Sequence, residues 1–501
     1  MEIFTIGFPT AFSANNLLYC GGGVFLGTLV GVIPGIGALA AVSLLLPVSY
    51  YLDPTTAVIM LAGVYYGAEY GGSTASILLN LPGTPSNAIT CLDGYPMAQN
   101  GRAGVALFMT TIASFVGGTL GIILLMVLTP TIISIAIAFG PGEYFAVVLL
   151  GLLASAGVTQ GSMMKGVAMV LLGLLLASVG HELHSGMSRY DFGIIELFDG
   201  VSLITLAMGL FGVAEIISSV NTQGERRFHG KISLRSMIPT REDMRRSWKP
   251  MLRGTSLGSL FGPLPGTGPG IAAFLGYAWE KRLSRTPERF GKGAIEGIAS
   301  PESANNAAVQ TAFIPTLAMG IPGTATMAVM LGALMTHGVI PGPNLVNEHP
   351  ELFWGLIASF WIGNALLLVL NIPMIGIWVR ILQIPYRYLY PAVLALVCVG
   401  VYSINNAVFD IWMVLFFGAG GYGMRLLDFE PAPLLIGFFL GTLMEENFRR
   451  AMLLARGDFS QLLLSPVSGS LLALAAVIAV WAVYSALRSR RQETLNITES
   501  E

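Results

Sequence analysis

The sequence predicts an all-α polytopic membrane protein built from two inverted-topology repeats, and three observations carry that class. Of the 501 residues, 54% are hydrophobic and 11% charged, with a mean hydropathy of +0.71; an ordinary soluble domain is about 25% charged. Windows at 105–128, 198–218, 352–372 and 469–487 could each cross the roughly 30 Å of hydrocarbon that takes about 20 helical residues. Finally, the chain echoes itself. Gly27, Gly31, Pro34, Gly35 and Gly37 recur as Gly258, Gly262, Pro265, Gly266 and Gly268 at an offset of 231, and Leu81-Pro82-Gly83-Thr84 recurs as Ile321-Pro322-Gly323-Thr324 at an offset of 240. Paired Pro/Gly breaks in corresponding parts of two apolar halves point to a transport site made from discontinuous helices. Broken backbone at membrane depth is tolerated only where protein, water or ligand satisfies it.

The first half opens with segment 22–51, apolar on both sides of the Pro34–Gly37 break and read as a re-entrant helical hairpin. A broken helix at about 55–92 follows, then crossings at about 105–128, 143–160, 165–180 and 198–218. Positive charge then concentrates. Arg226, Arg227, Lys231, Arg235, Arg241, Arg245, Arg246, Lys249 and Arg253 form one cluster, and Lys281, Arg282, Arg285, Arg289 and Lys292 a second. The excess of Lys and Arg in cytoplasmic loops places both inside. Residues 254–279 between them are interrupted at 263–270, so this segment turns back as a second hairpin. A broken helix at about 303–336 and crossings at about 352–372, 389–404, 407–424 and 432–446 complete the second half. A final helix at about 468–487 ends before the basic Arg488, Arg490 and Arg491.

The resulting division is a first repeat at 1–218, a basic linker with an interfacial helix at 219–253, a second repeat at 254–466, and a C-terminal helix and tail at 467–501. It contains about 11 spans. The stretch before and around the first hairpin lacks the positive charge of its counterpart, so the copies are expected to face opposite ways, with the N-terminus outside and the C-terminus in the cytoplasm. Arg449, Arg450 and Arg456 fit poorly, because the count places them outside.

Several functions gain no support. A net charge of −2 gives no footing for nucleic-acid binding. Cys20, Cys91 and Cys398 stand singly, and His181 and His184, which could share a helical face, lack a third ligand, so neither a disulfide framework nor a resident metal is expected. No cofactor motif is complete: 266–270 lacks the Gly-Lys-Ser/Thr and the preceding strand of a phosphate loop. No nucleophile–base pair is visible, and the chain is read as a non-enzyme. The N-terminus carries no basic n-region and is not expected to be a cleaved signal.

Chemistry concentrates at the breaks. Half-helices starting at mid-membrane present free N–H groups and a positive dipole end. Pro34, Gly35 and Gly37, with Pro265, Gly266, Thr267 and Gly268, are therefore candidates to line a substrate cavity, against the alternative of close helix packing. Around the second pair of breaks, Thr84, Pro85, Ser86 and Asn87 and then Thr324, Ala325 and Thr326 offer donors to a carboxylate and oxygens to a cation. Glu69, Ser73, Asn80, Asn305 and Asn306 are candidates for a coupling ion, since an acid within a span is a functional candidate by default. A structural Glu69 hydrogen-bonded at a helix interface is the competing reading, and Glu302 is read as a cap for a helix starting near Ser303.

At these residues the chain resembles the large membrane subunit of the tripartite tricarboxylate transporters, the TctA family. The resemblance rests on segments 31–37, 66–73, 81–85, 262–270 and 320–324 and extends from about residue 10 to 465. It implies a bacterial inner-membrane, secondary-active importer of tri- or dicarboxylates and related organic acids, driven by sodium or protons. It also implies a small four-helix membrane subunit and a periplasmic substrate-binding protein as partners, with a homo-oligomer open. Hairpin-plus-broken-helix repeats are similar to elevator-type carboxylate transporters; a channel or exporter on the same inverted scaffold is the alternative within transport, and an intramembrane enzyme the alternative outside it.

Overall fold

The computed structural model describes residues 2–157, 162–182, 187–220, 232–265, 267–382 and 386–481. Gly266, His184, Arg226, Arg227, Lys231 and the basic residues at 488–491 lie outside the described residues. Among those described, the only strands are the antiparallel pair Gly180–His181 and Ser188–Arg189; all other regular structure is helical. His181 is in that strand and packs its ring 4.9 Å from Phe198, so it is not on a helical face.

The principal helices are α1 (Ala14–Val32), α2 (Gly37–Ser49), α3 (Pro54–Leu79), α4 (Cys91–Met97), α5 (Ala103–Ala136), α6 (Pro141–Gly157), α7 (Met163–Ala177) and α8 (Leu203–Ser218) in the first half. The second half has α9 (Arg241–Phe261), α10 (Gly268–Leu283), α11 (Glu296–Thr311), α12 (Phe313–Met319), α13 (Ala325–Thr336), α14 (Pro350–Asn371), α15 (Tyr386–Asn405), α16 (Val408–Leu426), α17 (Ala432–Leu454) and α18 (Pro466–Trp481). Among the described residues, three helical stretches are long and apolar enough to cross a membrane, Ala14–Val32, Cys91–Ala136 and Pro350–Asn371; the other apolar helices are shorter. Short halves are what Pro/Gly interruption produces, because Pro removes a backbone donor and Gly admits a left-handed turn.

Two compact units emerge: Met1–Ser134 with Ala207–Tyr422, and Ile135–Leu206 with Gly423–Glu501. Each draws on both halves of the sequence. The first holds both hairpins and both broken helices, and its packing repeats in register. On α1, Gly23, Gly27 and Gly31 approach the carbonyls of Met60, Val64 and Ala68 on α3 so closely that an added Cβ would lie 2.3, 2.3 and 2.2 Å away. On α9 and just beyond it, Gly254, Gly258 and Gly262 approach the carbonyls of Ser300, Ala304 and Ala308 on α11, at 2.1, 2.1 and 2.6 Å. The glycines are offset by 231 and their partners by 240. Such small-residue seams let membrane helices gain dispersion contact where no hydrophobic drive exists.

The turns repeat as well. Gly37 and Gly268, which open the second arms, have φ of +75° and +60°. Asn80 (φ 56°, ψ 36°) and Gly320 (φ 69°, ψ 20°) end the first pieces of the broken helices, while Thr84 (−130°, 159°) and Thr324 (−143°, 164°) start the next. One boundary departs from expectation. α11 starts at Glu296 and not near residue 303, so Glu302 is interior to the helix and caps nothing.

In the second unit, α17 packs along α6 and α7. There Arg449 pairs with Glu182 and Glu445, Arg189 with the same two acids, and Arg450 with Glu446. The charge of Arg449 and Arg450 is thus neutralised locally. Glu445 and Glu446, which with Asp458 are expected from their nearness in sequence to offset it, do so, and Glu182, remote in sequence, adds a partner the linear count could not see.

Candidate functional site

The site is assembled where the broken helices interrupt. After α3 ends at left-handed Asn80, the chain runs extended to Thr84 and turns through Pro85–Ala88. Gly83 makes this possible: an added Cβ there would lie 2.1 Å from the Gly31 carbonyl and 2.4 Å from Gly72 Cα. Gly72 is similarly committed, since its Cβ would meet Asn87 Oδ1 at 2.0 Å. The break is thereby folded back onto α3, which carries Glu69 and Ser73.

A buried polar chain results. Glu69, 4% exposed, lies 3.0 Å from the Thr84 hydroxyl through Oε2, and the same oxygen contacts the Ser86 hydroxyl. Thr84 Oγ1 is 2.7 Å from Ser86 Oγ and donates to Asn87 Oδ1 at 2.6 Å. Asn87 Nδ2 donates to Ser73 Oγ at 3.1 Å and to Glu302 Oε1 at 3.2 Å. Glu302, 1% exposed on α11, also accepts from Thr90 Oγ1 at 2.5 Å and, through Oε2, from Ser114 Oγ at 3.2 Å. Two buried acids, one from each half, are thus joined by neutral donors. No Lys, Arg or His bonds to either among the described residues. Buried polar groups ordinarily find partners. Asn305, 1% exposed, places its side-chain amide beside the Glu69 carboxyl.

The second break and second hairpin join crosswise. The Pro85–Ala88 turn packs against α10, and α13 packs against α2, so each break meets the hairpin of the other half. A Cβ on Gly268 would be 3.6 Å from Thr324 Cγ2, and one on Gly270 would be 4.0 Å from Ser86 Cα. Thr324 Oγ1 caps α13 by accepting from Met327 N at 3.2 Å, with Ala325 and Thr326 buried in that first turn. At the first hairpin tip, Pro34 is half-buried, Gly35 exposed, and Gly37 faces open space.

The other candidates are placed apart from this network. Thr267 spends its hydroxyl on Phe261 O (2.5 Å) and Leu264 O (2.9 Å), closing its own turn beside half-buried Pro265. Asn306 Nδ2 bonds back to Glu302 O at 3.1 Å, the self-satisfied arrangement that competes with any ligand role. Asn80 is half-buried and shapes the backbone through its left-handed conformation. Sequence reasoning missed Glu302, Thr90 and Ser114 as members of one cluster. The rule that singled out Glu69, an acid inside a span, applies equally to Glu302.

Asp93 was missed too. Wholly buried, its Oδ1 accepts from three backbone amides, Gly291 (2.9 Å), Gly293 (2.8 Å) and Ala294 (2.7 Å). It fixes the approach to α11 against α4, and so the height at which Glu302 meets Asn87.

The chain is 47% identical over 489 residues, 98% of its length and 97% of the other's, to a protein of Agrobacterium vitis described as an uncharacterized 52.8 kDa protein in the TAR-I ttuC′ 3′ region. A second protein of that organism, described as uncharacterized in the TAR-II ttuC′ 3′ region, is 50% identical over 236 residues, 47% of this chain and 98% of the other. No solved structure matches. The family model described as tripartite tricarboxylate transporter TctA matches residues 17–436, a stretch that takes in both hairpins, both breaks and the buried chain between them. The protein belongs to the tripartite tricarboxylate transporter TctA family.

Proposed function

We propose that the chain is the cation-coupled, secondary-active importer subunit of a three-part system that takes up tri- or dicarboxylates or related organic acids across a bacterial inner membrane. The observation that carries this reading is the crosswise meeting of breaks and hairpins beside the buried amide of Asn305 and the carboxyl of Glu69. With Thr84 and Ser86 beside it, a carboxylate takes neutral donors from Thr324, Thr326 and the half-helix ends at Gly37 and Gly268; it binds without a Lys or Arg and so leaves readily. Glu69, Ser73 and Asn305 serve the coupling cation. The two repeats face opposite ways, and the hairpin-bearing unit moves as an elevator. A periplasmic binding protein delivers the acid, and a small membrane subunit completes the assembly.

The test is uptake by proteoliposomes containing the chain with its two partner proteins, using a panel of tri- and dicarboxylates under sodium or proton gradients. Accumulation of at least one acid is expected; failure of every acid under both gradients overturns the reading. Labelling of cysteines placed at Tyr51 (65% exposed) and Ser284 tests orientation: reaction from opposite faces is expected, and reaction from one face refutes the inverted arrangement.

A further inference from the structure

We propose that Glu69 is the proton carrier of the coupling site, held as a neutral carboxylic acid at one end of a directed hydrogen-bond chain that terminates on an ionised Glu302. This rests on the transport reading for its purpose, but its structural content stands on a count of protons.

The count starts at Glu302. Its two oxygens accept from Asn87 Nδ2, Thr90 Oγ1 and Ser114 Oγ. These are three donors, each with a proton to give, and an acceptor-only carboxylate uses them all. Because Asn87 must turn its NH2 toward Glu302 and Ser73, its Oδ1 is the atom facing Thr84. The 2.6 Å contact between them therefore consumes the single Thr84 hydroxyl proton.

With that proton spent, Thr84 is only an acceptor toward its other neighbours, Ser86 Oγ at 2.7 Å and Glu69 Oε2 at 3.0 Å. Ser86 has one proton and touches both Thr84 and Glu69. An ionised Glu69 would leave four close oxygen–oxygen contacts sharing two hydroxyl protons. A neutral Glu69 supplies the third and orders the whole chain: Glu69 donates to Ser86, Ser86 to Thr84, Thr84 to Asn87, and Asn87 to Glu302.

The surroundings agree. The titratable groups facing Glu69 are Tyr65 on its own helix and Glu302 at the far end of the chain, with Asn305 alongside; no cation is among them. A buried carboxylate with no cation and too few donors is costly, and neutralisation is the usual escape; Glu302, equally without a cation, differs in having three donors committed to its oxygens. In the transport step the Glu69 O–H bond breaks, the proton passes to water in the opened chamber, and the electron pair stays on the carboxylate. Ser86 then turns its own proton to Glu69. Proton loss thus reverses the hydroxyl next to the substrate site, coupling one event to the other.

The test is infrared spectroscopy of the purified chain in lipid nanodiscs, which reads the carbonyl stretch of protonated carboxyl groups directly. A band at neutral pH, sensitive to deuterium oxide, is expected in the native chain; it is lost in Glu69→Gln and moves to higher frequency in Ser86→Ala, which removes its proton acceptor. Absence of the band, or its survival in Glu69→Gln, overturns the proposal. Should Glu69→Gln not fold, the Ser86→Ala shift and native proteoliposomes decide. Sodium-free vesicles with the partner proteins should accumulate acid under a proton gradient, and accumulation that requires sodium overturns proton carriage while leaving the transport reading intact. If no gradient drives any acid, the transport reading falls, and the infrared band still judges the protonation of Glu69 alone.

Discussion

Substituting one glycine in the duplicated seam tests the packing on which the site depends. In Gly27→Ala the new Cβ would lie 2.3 Å from the Val64 carbonyl oxygen and 2.7 Å from Val64 Cα. Ordinary contact begins near 3.5 Å, so α1 and α3 must separate by roughly 1 Å. Backbone cannot rotate away as a side chain could, and α3 is held on other sides by α2, α13 and α14. Overpacking of this kind costs about 1–3 kcal/mol. Gly→Ala in a helix also gains about 1 kcal/mol of propensity, and that gain must be removed from the comparison. Gly22, on the same helix with open space around it, gives the propensity term without the clash.

The difference between Gly27→Ala and Gly22→Ala should therefore equal the packing cost alone, about 1–3 kcal/mol. Reversible unfolding in mixed detergent micelles measures it. Gly258→Ala, whose Cβ would meet the Ala304 carbonyl at 2.1 Å, should repeat the result in the second half. If Gly27→Ala proves no less stable than Gly22→Ala, the close seam is not what binds hairpin to broken helix.

Three further outcomes are expected. Asp93→Ala strands three backbone amides, that of Ala294 buried and those of Gly291 and Gly293 more open; a buried amide costs about 1–3 kcal/mol when unpaired, so unfolding experiments should show a loss of at least that order, beyond an exposed control such as Asp199→Ala. Burial by itself would raise the Asp243 carboxyl, but Arg102, bonded to both its oxygens at 2.7 Å, and the amide and hydroxyl of Thr240 hold it below the usual carboxylate range. Its contribution is thus present above the ordinary value near 3.9 and fades as pH falls through the lower folded value; the stability gap between the native chain and Asp243→Asn should be constant near neutrality and close in acid. Thr84→Val and Thr324→Val should each lower uptake in proteoliposomes, and Thr324→Val, which also removes a helix cap worth about 1 kcal/mol, should lower stability as well; unchanged uptake in both would contradict a substrate site between the two breaks.

What could be read in the sequence was what local chemistry dictates. Pro34, Pro82, Pro265 and Pro322 deny a donor wherever they stand, and Gly37 and Gly268 adopt left-handed φ values that other residues resist; such breaks are visible without any partner. The seam was half visible. Gly27, Gly31, Gly258 and Gly262 stood out through repetition, but Gly23 and Gly254 did not, because glycine is common in membrane helices and its neighbour on the facing helix is not written beside it. Pairings across long separations were invisible for the same reason. Asp93 meets amides at 291–294, Glu302 meets Asn87, and Arg449 meets Glu182; each needs the fold before the partner is known. Glu302 was hidden further by placing the start of α11 seven residues late.

The duplicated scaffold and the chemistry it carries follow different rules, and the difference bears on mechanism. Applying the 240-residue offset to the polar chain, Glu69 corresponds to Val309, Ser73 to Phe313, Asn87 to Met327 and Thr90 to Met330, while Glu302, Asn305 and Asn306 correspond to Ala62, Tyr65 and Tyr66. Only the threonine that starts each resumed helix, Thr84 or Thr324, and the hydroxyl two residues on, Ser86 or Thr326, are kept in both. Backbone shape is therefore repeated, hydroxyls at the helix starts are repeated, and acids and amides are not. A carboxylate substrate needs donors from both sides, which two helix starts with hydroxyls provide. A coupling group needs the reverse, a single position whose charge changes once per cycle, because a symmetric pair of acids would interact and titrate in two steps. On the proposed reading, the first break, α3 and α11 concentrate that function at Glu69, with Glu302 as its fixed counterpart. Restoring symmetry should then be harmful: Val309→Glu would place a third acid on α11, fully buried and without the two hydroxyls, Thr84 and Ser86, that contact Glu69. Unfolding in micelles should show its cost at several kcal/mol, the penalty of an unpaired buried carboxyl, and a variant as stable as the native chain would mean that the second break holds partners this structure does not display.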